Sequence, residues 1–349
     1  MTFDDPLLAA FFGDDAVAAL WSPSAQLAHM VAFERALVAA RAAVGQISPA
    51  DALAADAHLV AWTPDFELLA GGVAADGLVV PAFARMIREG APVPEIIHTG
   101  ATSQDVLDSA LAMTLDRLIG LYLGRLDKLS DAFRALQTEH GTRRLMGRTR
   151  MQAALPILAG SRIRTWIDPV AHVRAQLEAM RPRVARVQLG GAVGDRHRFG
   201  PAAAEIADGV ADRLGLSRAP AAWHTDRTAI AEFASALSVL TGTLGKFGAD
   251  VTLMAQQGVD EIRLAGGGGS SAMPHKQNPV HAELLVTLAR YNAAQVGAMH
   301  SALVHEQERS GAAWTLEWLT LPPMTVAAGR ALTAATELAG AVTSIGQIE

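Results

Sequence analysis

A glycine-rich segment with the sequence GGGGSSAMPHKQNP, residues 266–279, carries the side chains best suited to chemistry. Its backbone can donate N–H groups and Lys276 adds positive charge, so Ser270 could become an alkoxide there. Asn278 followed by Pro279 favours the start of a helix, whose N-terminus also stabilises negative charge. A bare Gly/Ser run would indicate a flexible linker, and no Gly-Lys-Ser/Thr follows as a phosphate-binding loop requires. The attached lysine and Asn-Pro pair favour a mobile catalytic loop.

A second segment, HTGATSQD at residues 98–105, combines hydroxyl, amide and imidazole side chains. Thr102 or Ser103 is expected to open a long helix, and a capping arrangement alone would explain these residues. In the functional interpretation the two hydroxyls, the amide of Gln104 and the ring of His98 bind an anionic substrate at the helix start.

A third segment, GRTRMQAALP at residues 147–156, presents two arginines close to a glutamine. Arg148 and Arg150 could form a carboxylate clamp with Gln152, because the planar guanidinium matches a carboxylate with two hydrogen bonds. The alternative is a basic turn that precedes a helix.

Two weaker signals, WHTDR and HEQER, each contain an arginine that could reach a substrate, Arg227 and Arg309. Surface packing and a solvated helix face are the alternative explanations. HEQER lacks the second histidine of the metalloprotease motif, and no cluster has the spacing of metal ligands. We therefore predict a site without a metal or other cofactor.

The composition limits the classes of protein to which this chain can belong. Of its 349 residues, 50% are hydrophobic, 18% are charged and 5% are aromatic, so aliphatic side chains must fill a large core. The net charge of −6 argues against a general nucleic-acid binder, and the lack of cysteine excludes disulfides, thiol nucleophiles and Cys-ligated zinc. The start does not resemble a secretory signal, and no uninterrupted apolar stretch reaches about 18 residues. We expect a soluble cytoplasmic protein with no membrane span.

Helical periodicity dominates the chain, and alternating strand patterns are scarce. The expected helices cover residues 27–44, 103–140, 203–214, 228–262 and 279–304. Helices of this length indicate an extended bundle. Residues 228–262 are apolar nearly all round, and such a helix needs neighbours on every side. We therefore expect a homo-oligomer with a shared helical core.

In this order, the three segments resemble the fumarase/aspartase superfamily, and GSSAMPHKQNP is highly specific for it. The resemblance covers nearly the whole chain and begins with WSPSAQLAHMVAFERALV, residues 21–38. It implies an all-α, long-helix homotetramer whose active sites draw on three subunits and accept a small polycarboxylate substrate. The implied domains are residues 1–102, a central bundle at 103–320 and a reduced C-terminal domain at 321–349.

The resemblance also implies roles for individual residues. The first loop serine, here Ser270, transfers the proton on the carbon next to a carboxylate, while Lys276, Asn278, Thr102 and Ser103 hold carboxylate. The predicted catalytic set is Ser270, Lys276 and Arg150. The predicted substrate-binding set is His98, Thr102, Ser103, Gln104, Gln152, Arg227, Ser271, Met273, Asn278 and Arg309.

Arg150 selects among the branches of the superfamily. Adenylosuccinate lyases usually carry histidine there and fumarase-like members threonine. The sequences HTGATSQD, GRTRMQAALP, WHTDR and HEQER are most similar to those of 3-carboxy-cis,cis-muconate cycloisomerases. Read backwards, that reaction releases a carboxylate of pKa about 4, which leaves as an anion without a general acid. The alternatives are a lyase acting on adenylosuccinate or another succinyl adduct, and a non-catalytic protein like the crystallins recruited from this superfamily.

Overall fold

Helices make up most of the computed structural model, which describes residues 3, 5–269, 273 and 278–346. The helices are α1 (Ala9–Phe12), α2 (Asp15–Leu20), α3 (Pro23–Ala43), α4 (Pro49–Ala61), α5 (Phe66–Asp76), α6 (Val80–Met86), α7 (Ser103–His140), α8 (Ala159–Val184), α9 (Ala203–Leu214), α10 (Thr228–Met254), α11 (Val280–Ser301) and α12 (Ala312–Ala341). The strands are β1 (Arg144–Thr149), β2 (Gln152–Leu158), β3 (Ile262–Leu264) and β4 (Val342–Ile345). The expected all-α fold class is confirmed.

One bundle is formed by the long helices α7, α8, α10, α11 and α12. α10 packs against α8, α11 and α12, and α7 packs against α8 and α12. α8 runs antiparallel to α7, since Arg174 of α8 pairs with Asp127 of α7 whereas the later Arg181 pairs with the earlier Asp116. α12 runs parallel to α7, since its early Trp314 bonds Asp108 and its later Thr325 accepts from Tyr122 through the backbone carbonyl.

This arrangement gives the bundle two distinct ends. End A holds the starts of α7, α10 and α12, whereas end B holds the β1–β2 hairpin, the β3–β4 ribbon and the start of α11. α7 connects them, and its 38 residues span about 57 Å at 1.5 Å per residue. The candidate residues that the structure describes are therefore assigned below to one end or the other.

The helices predicted from apolar periodicity lie close to their expected positions. α7 begins at Ser103 and ends at His140, and α9 covers residues 203–214, as predicted. α11 begins at Val280, directly after Pro279. The helix expected to reach residue 262 ends at Met254, because a turn with Gly258 at φ +85° leads into β3.

Two features bear on the sequence-based expectations. Residues 144–158 form an antiparallel hairpin rather than a basic turn alone, with Thr149 paired to Gln152. α12 continues through Pro322 and Pro323 and spans residue 320, and the expected division into domains at that residue stays a prediction.

α10 is long and apolar enough to cross a membrane by length and composition, but most of it is buried in the bundle. Its Phe247 packs against Phe133 of α7 and Trp166 of α8, which identifies α10 as a core helix. Val239 and Leu253 on the same helix remain exposed.

Candidate active site

At end A, an arginine joins two segments that are far apart in the sequence. The guanidinium of Arg309 donates from Nε to Gln104 Oε1 at 3.0 Å and from Nη2 to Thr102 Oγ1 at 3.0 Å. Nη2 also donates to the carbonyl of Ala192 at 3.2 Å. These bonds hold a cation beside the N-terminus of α7, where Ser103 is the first helical residue. A cation and a helix N-terminus together favour an anion.

Asp105 holds end A together. Its buried carboxylate accepts hydrogen bonds from the N–H groups of Gly190 at 2.7 Å and Gly191 at 2.9 Å, and from Nε2 of His224 at 2.9 Å. It also accepts from the backbone of Thr102 at 2.9 Å, which closes the predicted helix cap. The sequence indicated the cap but gave no sign of the glycine contacts.

Glycine is required where these segments meet. Gly191 has φ +71°, and a Cβ on it would lie 2.9 Å from the carbonyl oxygen of Gly100. The loop after Val187 can therefore approach the loop before Thr102 only with glycine at this position.

His98 is bound by a buried carboxylate that sequence reasoning missed. Its Nδ1 lies 2.6 Å from Oε1 of Glu34, and its backbone N–H donates to Oε2 of Glu34 at 3.0 Å. Burial disfavours the imidazolium, but the carboxylate of Glu34 outweighs it, so the pKa of His98 is raised. The available signal was a lone acid in the apolar run of α3, MVAFERALV.

Arg227 departs from its predicted role as a substrate ligand. It is 1% exposed, and its guanidinium donates to both carboxylate oxygens of Asp108 at 2.7 and 3.1 Å. It also donates to both oxygens of Glu317 at 2.9 and 2.6 Å and lies over the ring of Trp223. With four hydrogen bonds and almost no exposed surface, Arg227 forms a buried structural network with Asp108 and Glu317.

End B carries the predicted carboxylate clamp. Arg150 and Met151 form the hairpin turn with φ +49° and +66°, and two successive positive φ values are typical of a type I′ turn. Arg150 and Gln152 are both exposed at this tip. Arg148 instead bonds Glu261 at 2.9 Å, which joins the hairpin to the residue before β3.

Backbone pairing at end B joins Gly268 and Asn278, which lie near the two ends of the glycine-rich segment. Gly268 and Asn278 exchange two backbone hydrogen bonds of 2.9 Å. A Cβ on Gly268 would lie 2.4 Å from Val280, so this crossing requires glycine. Asn278 and Met273 line a cavity of about 710 Å³. Ser270, Ser271 and Lys276 lie outside the described residues.

The structure therefore brings the predicted residues into two groups. His98, Thr102, Ser103, Gln104 and Arg309 belong to end A, whereas Arg150, Gln152, Met273 and Asn278 belong to end B. Within residues 3, 5–269, 273 and 278–346, no group of three or more His, Asp or Glu side chains could hold a metal ion.

Replacing Arg309 by methionine is expected to weaken binding of propane-1,2,3-tricarboxylate by about 10–100-fold, since hydrogen bonds to charged groups contribute about 1.5–3 kcal/mol. Titration calorimetry measures this loss without any reaction. Arg213→Met removes an exposed arginine from α9 and is the matched control. Equal affinities for the two variants would contradict an anion site at Arg309.

Comparison with known proteins places the chain in a family. A family model described as lyase matches residues 24–296. A 3-carboxy-cis,cis-muconate cycloisomerase of Pseudomonas aeruginosa is 36% identical, with 91% of this chain and 71% of the relative covered. A nitrosuccinate lyase of Streptomyces davaonensis is 34% identical over 96% of this chain and 74% of the relative.

A solved structure gives the same result at the level of the fold. The 3-carboxy-cis,cis-muconate lactonizing enzyme from Pseudomonas putida has a TM-score of 0.90 and 33% identity, covering 97% of this chain and 77% of the other. Since the family model matches most of the chain and both the relatives and the solved structure agree with it, the chain belongs to the lyase family of the fumarase/aspartase superfamily.

Proposed function

We propose that this protein is a cofactor-free cycloisomerase that converts 3-carboxy-cis,cis-muconate to a carboxymuconolactone in bacterial protocatechuate breakdown, in the cytoplasm. The observation that carries the proposal is Arg150, a cation at the exposed hairpin tip where a lyase of amine adducts would need a proton donor. The cycloisomerase names of relatives at 36% and 35% identity support it.

The reaction needs only positioned charges and one proton. A substrate carboxylate oxygen, held by Arg150, adds to the conjugated diene. The π electrons of the diene then shift toward a second carboxylate and give an enolate-like intermediate. Ser270 delivers a proton to the carbon beside that carboxylate and is reprotonated from solvent. Three carboxylates become two carboxylates and a lactone, so one proton is consumed. Lys276 and Asn278 would stabilise the enolate charge, together with Thr102 and Ser103.

We infer that the site is shared between subunits of a homotetramer. End A and end B are separated within one chain by about 57 Å along α7, so a small substrate contacts both groups only where different chains meet. The exposed apolar side chains Val239 and Leu253 of α10 and Leu319 of α12 offer surface for such an assembly.

The test of the reaction is loss of diene absorbance when purified protein is mixed with 3-carboxy-cis,cis-muconate. We expect this loss, with the lactone as product, and no alkene formation from nitrosuccinate or adenylosuccinate. Unchanged diene absorbance together with turnover of a succinyl compound would overturn the proposal in favour of a lyase. Absence of turnover with every substrate would favour a non-catalytic protein.

Replacing Arg150 by alanine is expected to lower kcat/KM for carboxymuconate by about 10–100-fold, because a charge-assisted bond to the attacking carboxylate is lost. Arg150→Lys keeps the charge but not the paired geometry, so it should recover only part of the activity. Arg148→Ala is the matched control within the hairpin, since Arg148 is paired with Glu261.

Mixing subunits tests the shared site. Arg150→Ala and Arg309→Met chains, unfolded and refolded together, should regain activity above either variant alone, because some sites receive Arg150 from an Arg309→Met chain and Arg309 from an Arg150→Ala chain. An activity equal to the average of the two variants would show that both arginines act from the same chain.

A further inference from the structure

Glu34 is a buried acid whose carboxylate is used entirely by one neighbour. It lies on α3 among apolar side chains and is 0% exposed. One oxygen is 2.6 Å from Nδ1 of His98, and the other accepts the backbone N–H of His98 at 3.0 Å. A buried carboxylate is costly without a counter-charge, so this geometry favours a positive charge on the ring.

The loop that carries His98 is fixed by several bonds. His98 has φ +55°, a conformation that non-glycine residues rarely adopt. The carbonyl of Ile97 accepts two hydrogen bonds from Arg88, and Arg41 donates to the carbonyls of Ile96 and Thr99. The position of the imidazole is therefore set by the surrounding fold before any ligand arrives.

The charges around His98 determine its protonation. Glu34 and Asp105 favour the imidazolium, whereas burial and Arg88 oppose it, and the net result is a raised pKa for His98. Because Glu34 holds Nδ1, the free ring nitrogen is Nε2, for which the described residues supply no partner. The ring is 13% exposed, which leaves an edge accessible.

We propose that Glu34 is a positioning residue that keeps His98 as an imidazolium and presents its Nε2–H to a substrate carboxylate at end A. This rests on the polycarboxylate substrate proposed above. His98 then supplies a positive charge in addition to Arg309, four residues before Thr102 in the same loop. Unlike Arg309, this charge disappears at alkaline pH, so Glu34 sets the pH range over which the site binds its anion.

Glu34→Gln tests the proposal with almost no change in shape. The amide N–H of the glutamine would donate to Nδ1, so the ring becomes neutral and burial lowers its pKa below the ordinary value near 6.5. The measurement is calorimetric affinity for propane-1,2,3-tricarboxylate between pH 6.5 and 9.5. Wild-type affinity should fall by about 10-fold or more as pH rises through the raised pKa of His98, as expected for loss of one charge-assisted bond.

The variants should differ from wild type in a defined way. Glu34→Gln and His98→Gln should both bind weakly and without this pH dependence, and the double variant should be no weaker than either. The control is Asp56→Asn, which removes the exposed partner of Arg35, a residue on the same helix as Glu34. This variant should keep the wild-type pH profile. A wild-type profile in Glu34→Gln would overturn the proposal.

A stability measurement separates this proposal from the reaction itself. Because the folded-state pKa of His98 is raised, the ion pair stabilises the fold fully below pH 6.5 and loses that effect as pH rises through the folded value. The difference in unfolding midpoint between wild type and His98→Gln should therefore shrink from pH 6.5 to 9.5, and a constant difference would overturn the ion pair. Tricarboxylate binding without turnover of carboxymuconate would overturn the reaction but support the His98 site.

Discussion

Ser270→Ala is expected to lower kcat by about 10²–10⁴-fold while the oligomer stays intact, because positioned proton transfer contributes that much. The proton goes to or comes from carbon, and water is a poor substitute for a positioned side-chain hydroxyl. KM should change little, since in the proposed mechanism Ser270 acts on the reacting carbon and the arginines hold the carboxylates. Initial rates from diene absorbance give both constants, and light scattering reports the assembly.

The control for Ser270→Ala is a serine on the adjoining helix. Ser301→Ala removes an exposed hydroxyl that donates to the carbonyl of Gly297 four residues earlier in α11. It should keep the wild-type kcat. A Ser270→Ala enzyme with near-normal kcat would assign the proton transfer to another group, whereas loss of the proposed tetramer would reveal a structural role for the loop.

Local signals explain which elements the sequence could predict. α7 could be predicted closely because a cap at Thr102 and a long apolar period act within the same segment. The β1–β2 hairpin was missed because its turn residues are Arg150 and Met151 rather than Asn-Gly, and β2 is mostly exposed and shows no alternation. The conformation of the hairpin depends on pairing between its two strands, which the periodicity of apolar residues does not reveal.

Long-range contacts explain what the sequence could not show about the site. Thr102, Gln104 and Arg309 were predicted from residue type, but the bonds that join them cross more than two hundred residues of sequence. Arg227 had the same residue type and a similar setting before a helix. Only its neighbours, Asp108 and Glu317, distinguish a buried structural cation from one that can meet a substrate.

Arg227→Met is expected to reduce the free energy of unfolding by about 3–5 kcal/mol, because it leaves two buried carboxylates without a counter-charge. Asp108 and Glu317 are 1% and 2% exposed, so water cannot replace the lost hydrogen bonds. Urea unfolding at one fixed protein concentration measures the change. Arg35→Met, which breaks an exposed pair with Asp56, should cost only about 0–1 kcal/mol.

Neutralising the partners distinguishes structure from substrate binding. Arg227→Met combined with Asp108→Asn and Glu317→Gln leaves no unpaired charge, so much of the lost stability should return. Asparagine can still accept the hydrogen bond that Gln104 donates to Asp108, which keeps the Gln104 amide oriented toward Arg309. The triple variant should therefore also regain affinity for propane-1,2,3-tricarboxylate. If the triple variant recovered stability but not affinity, Arg227 would have to contact the anion directly. Such a contact would require the buried ion-pair network to open.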